Sequence, residues 1–160
     1  MKINFKSKQR RGFTLIELMV AISIMAALGA LGITGFANYN QSQILQNSSN
    51  EVTTMLNLAK SRAQSQVKMG TSCSASSQIL EGYQVDISII NRTYTLSSRC
   101  SGITSNLQTK TLPQNVSFKS PDTFPTSFFF PVQKGGVDTP GQIVISSGGK
   151  TKTIVANVLK

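Results

Sequence analysis

The chain has no histidine, so the commonest general base is missing. With only Cys73 and Cys100 as soft ligands, a structural zinc site is not expected. Acids are few. Apart from Glu17 they are Glu51, Glu81, Asp86, Asp122 and Asp138, scattered with no paired spacing that suggests acid–base work. The many serines have no evident activating base, and no motif marks a Ser–Lys pair. Neither an enzyme, a metal nor a cofactor is expected. Proline is absent before Pro113, so nothing obligatorily breaks a helix in the first half.

Long apolar runs are not lacking. From Leu18 to Ala37 only Ser23 and Thr34 are polar. As a helix this run extends roughly 30 Å, the thickness of the hydrocarbon layer. A secretory signal peptide has a shorter core of about 7–15 residues with a small-residue cleavage site behind it, so a retained anchor is expected. Lys2, Lys6, Lys8, Arg10 and Arg11 precede the run, while residues 38–59 carry no Lys or Arg. The positive-inside rule then places the N-terminus in the cytoplasm and everything after Tyr39 outside. Glu17 stands at the mouth of the run. A charge at the centre of a membrane helix costs roughly 2.5–3.5 kcal/mol. The cost is smaller near an end, yet an apolar residue would avoid it.

Beyond the run, Leu45, Val52, Met55, Leu56, Ala59, Ala63 and Val67 recur mostly at steps of three and four, the stripe of an amphipathic helix laid on a core. The pattern predicts one helix from Thr14 to about Met69, with Gly70 as its stop. Gly29, Gly32 and Gly35 weaken the apolar part. They serve either close packing or a segment able to unwind. After Met69 the composition turns to Ser, Thr, Asn and Gly. Strands are predicted at 83–90, 92–98, 116–119, 127–132, 142–146 and 151–159, the last two joined at Gly148-Gly149. The fold class is α+β, a long N-terminal helix packed on a small antiparallel head, either a sheet or a sandwich. Phe128, Phe129 and Phe130 cannot share one face of a strand. Either the strand is covered on both faces or one ring meets a partner. Cys73 and Cys100 fall on the outer side, where a disulfide persists. It would stabilise the fold by roughly 3–4 kcal/mol. The alternative is two buried thiols.

Arg10-Arg11-Gly12-Phe13-Thr14-Leu15-Ile16-Glu17-Leu18 resembles the processing and methylation signal of type IV prepilins and type II secretion pseudopilins. The resemblance implies cleavage between Gly12 and Phe13 by a prepilin peptidase that then methylates the new amine of Phe13. It implies that Glu17 pairs with the amine of a neighbouring subunit as a filament grows. The partners implied are that peptidase/methyltransferase, other pilins or pseudopilins, and membrane lipid before assembly. The subunit would sit in the inner membrane and afterwards in a periplasmic or cell-surface filament. The domains would be a leader, residues 1–12; a membrane helix, 13–37; its amphipathic continuation, 38–69; and an extracytoplasmic head, 70–160. Losing the leader takes five cations and no acid, lowering the formal charge from +10 to +5.

Phe128-Phe129-Phe130-Pro131, a turn at Gly135-Gly136, Gly141-Gln142-Ile143-Val144-Ile145 and Thr153-Ile154-Val155-Ala156 resemble the end of minor pseudopilins of the GspH/FimT class. This implies a helix on a β-sandwich and a place near the filament tip. Many of that class carry a Gly-Arg pair near the last strand. Here the turn reads Gly149-Lys150-Thr151-Lys152. Lys150, Lys152 and Lys160, with Lys134 nearby, are the candidates for a nucleic-acid patch, since phosphate contacts need only such cations. Solvated lysines guarding a strand edge are the plainer reading. Two alternatives stay open: a tip subunit that captures DNA, and an anchored surface protein that never polymerises.

Overall fold

The computed structural model describes residues 12–134 and 136–157, leaving aside the side chains of 30–35, 37 and 72. The cations of the leader, Gly135, and Leu159 and Lys160 at the end lie outside the described residues. So do the side chains of Gly32, Thr34 and Gly35. The chain divides into two compact units, residues 1–39 and residues 40–160.

Helix α1, Leu15–Gln64, contributes to both units. It ends short of the expected Met69. Gln66 takes a left-handed φ of 53°. Its N–H donates to the Ala63 carbonyl, and the Val67 N–H donates to the Arg62 carbonyl. These are the two bonds of a Schellman cap, normally built on glycine. Gly70 is therefore not the helix stop. It also has a positive φ, and a Cβ there would come within 2.9 Å of Leu107 and of Ser98. Its smallness lets the connection pass close to the sheet.

In the first unit no helix among the described residues is long and apolar enough to cross a membrane. Part of the Leu18–Ala37 run belongs to the side chains left aside.

The second unit holds seven strands. These are β1 (Leu80–Ser88), β2 (Thr93–Cys100), β3 (Ile103–Thr111), β4 (Ser117–Phe118), β5 (Ser127–Pro131), β6 (Gly141–Ser147) and β7 (Lys150–Ala156). They form two sheets, of order β3-β2-β1-β5 and β4-β6-β7, and every pairing is antiparallel. The α+β class with an antiparallel head holds. Leu45, Val52, Met55, Leu56, Ala59 and Ala63 of the helix join buried residues of both sheets in one apolar cluster. Each large side chain buried there contributes roughly 1.5–3 kcal/mol.

Period-2 alternation sorts the aromatic run. Phe128 and Phe130 are buried among Tyr83, Val85 and Leu96. Phe129 points to the other face, where the Arg99 guanidinium lies 5.5 Å from its ring centre. Strand β3 was not expected. It is the outermost strand of its sheet and mostly exposed. The register skips from Leu96↔Gln108 to Ser97↔Asn106, leaving Leu107 as a bulge residue. The β1–β2 connection is tight, with Arg92 at positive φ. The Gly148-Gly149 turn has both residues at positive φ, as a type I′ hairpin turn requires.

Candidate functional site

In the first unit, Gly12 and Phe13 precede the helix in irregular backbone. A Cβ added at Gly12 would meet no atom within 4 Å. Nothing described within the chain calls for glycine there. Thr14 caps the helix, its hydroxyl accepting a hydrogen bond from the Glu17 N–H at 3.3 Å. Thr14-Leu15-Ile16-Glu17 has the spacing of a capping box, and an acid in the first turn is favoured by the helix dipole. The local helix therefore tolerates Glu17 without explaining it. The residue is exposed, and no cation among the described residues forms an ion pair with it.

The surface around Glu17 is apolar on all sides. Phe13 is 83% exposed, Leu15 77%, Ile16 72% and Met25 72%. The Ser23 hydroxyl donates to the Met19 carbonyl at 2.8 Å, so the helix itself satisfies its one polar side chain between Leu18 and Gly29. A helix that is apolar all round needs an apolar surrounding. A Cβ at Gly29 would likewise meet nothing within 4 Å.

In the second unit, Cys73 and Cys100 form the expected disulfide, with Cα atoms 5.4 Å apart and a sequence separation of 27. Both residues are buried. The bond ties the connection after the helix to the end of β2. The candidate lysines near the last hairpin lie as follows. Lys150 Nζ donates to Ser42 Oγ at 2.5 Å, and Lys152 Nζ donates to Gln46 Oε1. Both lysines are thus engaged with α1, Lys134 is exposed, and Lys160 lies outside the described residues. Among the described residues no cluster of His, Cys, Asp and Glu could hold a metal ion.

Two tyrosines that sequence reasoning did not single out fasten the helix and the segment just after it to the sheet. The Tyr94 hydroxyl donates to Glu51 Oε2 at 3.0 Å, and Lys110 Nζ lies 3.9 Å from the same oxygen. The Tyr83 hydroxyl donates to the Val67 carbonyl. Burial raises the pKa of both phenols. For Tyr94 the hydrogen bond to Glu51 and the negative charge of that carboxylate raise it further, whereas Arg62 partly offsets the rise for Tyr83. A tyrosine on the inward face of a strand needs a hydroxyl partner. That was the available signal, but it did not name the partner.

Residues 7–33, which contain Gly12, Phe13 and Glu17, match the prokaryotic N-terminal methylation motif. Over 31 residues the chain is 61% identical to prepilin peptidase-dependent protein D of Escherichia coli (strain K12). That stretch is 19% of this chain and spans only 21% of the relative's own length. No solved structure matches the chain. The N-terminal segment of the chain is thus similar to the methylation motif of prepilin-type proteins, and the similarity found is confined to that segment.

Proposed function

We propose that the protein is a structural subunit, a minor pilin or pseudopilin. It is held in the inner membrane by residues 13–37, with its N-terminus cytoplasmic and residues 70–160 outside. It is cleaved between Gly12 and Phe13, methylated on the Phe13 amine, and moved into a filament. The observation that carries this reading is Glu17, an exposed carboxylate without a cation partner among the described residues, at the start of a helical stretch whose only other polar side chain up to Gly29 is Ser23. A charge in such a surrounding calls for a partner. The methylated amine of a neighbouring Phe13 is a cation of the right kind, placed at the same depth by the same helix. Gly12 fits a peptidase subsite, because its lack of a side chain meets no demand from the described chain.

The head supports the minor-subunit reading of the GspH/FimT kind. It has the helix, the aromatic β5, and the closing β6–β7 hairpin expected of that class. A place near the filament tip, in a type IV pilus or a type II secretion pseudopilus, belongs to this proposal. DNA capture through Lys150, Lys152 and Lys160 does not, because Lys150 and Lys152 are engaged with Ser42 and Gln46.

Intact mass and N-terminal peptide mapping of the protein from its native host test the proposal. The expected product starts at methylated Phe13. A chain that keeps residues 1–12 in a host that processes other prepilins would falsify it.

A further inference from the structure

Strand β7 is the outermost strand of its sheet. The two-residue turn makes Ser147↔Lys150 the closing pair of the hairpin. Antiparallel alternation then turns the N–H and C=O groups of Lys150, Lys152, Ile154 and Ala156 toward β6, and those of Thr151, Thr153 and Val155 away from it. Among the described residues nothing hydrogen-bonds to that outward row. The other edges are blunted. Strand β3 carries the Leu107 bulge, β4 has two residues, and the Phe129 carbonyl of β5 accepts a bond from the Asp138 N–H at 2.8 Å. Such an open row is a template for one more strand.

Beside this edge lies a cleft of about 180 Å³ lined by Leu56, Phe130, Val137, Ile154 and Ala156, with Lys60 from the helix. The cleft has room for one large apolar side chain, and Thr53 and Asn57 share its lining. A second, more open hollow shares Val155 and Asn157 with it and is flanked by Phe124, which is 72% exposed. The two hollows therefore continue along the end of the strand. The second hollow holds Asp122, which is paired with Lys119 at 2.9 Å, whereas the charged side chain lining the cleft itself is the cation Lys60. Lys60 has no acidic partner among the described residues, and Lys152 meets only the neutral Gln46.

We propose that the free edge of β7 docks an extended, acidic and apolar segment of a neighbouring subunit that is not a second copy of this chain. The segment adds as a further strand, places an apolar side chain in the cleft, and sets a carboxylate against Lys60. Main-chain bonds supply affinity, and the cleft and the lysine supply selectivity. Only the identity of the partner rests on the pilin reading; the docking itself is a property of the single chain.

The test uses the full chain in detergent micelles with an acetylated heptapeptide of alternating Val and Thr carrying one central Glu. Two control peptides replace that Glu by Lys or by Pro. The Glu peptide is expected to bind about tenfold more tightly than the Lys peptide. It should slow amide exchange at Thr151, Thr153 and Val155. Lys60→Glu should reverse the preference. Val155→Pro, which removes an outward N–H and leaves the β6 ladder whole, should abolish binding with an unchanged melting transition. Equal binding of all three peptides, unaltered exchange at the three amides, or a preference indifferent to Lys60→Glu would each overturn the proposal. Concentration-dependent dimers that vanish in Val155→Pro would overturn it too, by identifying a second copy as the occupant. Mass mapping of the native protein bears only on the pilin reading, so the two can fail separately.

Discussion

Gln66 closes the long helix in a left-handed conformation that L-residues avoid by roughly 1–2 kcal/mol. Glycine removes that strain but gains freedom when unfolded. Gln66→Gly is therefore expected to stabilise the head by about 0.5 kcal/mol, read as a higher urea midpoint. Tyr94 gives the opposite kind of lesson. Its phenol is neutral, buried and bonded to Glu51, and its pKa is raised first by burial. A raised acid contributes stability that is complete below the unfolded value, about 10, and is lost as pH climbs from there toward the folded value, because the unfolded chain releases the proton first. Urea midpoints should fall between pH 9 and roughly 11. The fall should be shallower in Tyr94→Phe, which at neutral pH is less stable by about 1–2 kcal/mol for the lost bond to a charged acceptor.

Elements were legible where they bury something. The stripe from Leu45 to Ala63 showed the helix, alternation showed β1, β2 and β5, and Gly148-Gly149 showed the final hairpin. Strand β3 stayed hidden because Ile103–Thr111 faces solvent along most of its length. With Ser, Asn, Gln and Thr dominating it, no apolar period marks it, and only its pairing with β2 makes it a strand. The helix end was misplaced because Gly70 looked like a cap while Gln66 did the capping. In the candidate site, Gly12, Phe13 and Glu17 were readable as a local motif. The engagement of Lys150 and Lys152 with Ser42 and Gln46 was not, since it joins residues 108 and 106 positions apart. The disulfide carries a prediction at this scale. Changing both cysteines to serine should cost about 2–4 kcal/mol in unfolding free energy, seen as a lower Tm that reducing agent no longer alters.

For the molecule as a whole, the first unit presents apolar side chains outward and the second buries them. The first exposes an apolar surface, and the second forms its own core. Glu17 forms no ion pair among the described residues, so Glu17→Ala should leave the Tm unchanged while incorporation into filaments is lost. Fractionation of filaments from cells expressing the variant reads the second effect. The disulfide also has a mechanical meaning. In the proposed filament, tension would pull on each subunit through its helix. In a chain linked only through its backbone, that load would travel past the helix end to Leu80 and enter β1. With Cys73 bonded to Cys100, part of it passes directly into β2, which has hydrogen-bonded neighbours on both sides. The crosslink spreads the pull over three adjacent strands, so the head resists traction as a block rather than unravelling from the strand nearest the helix.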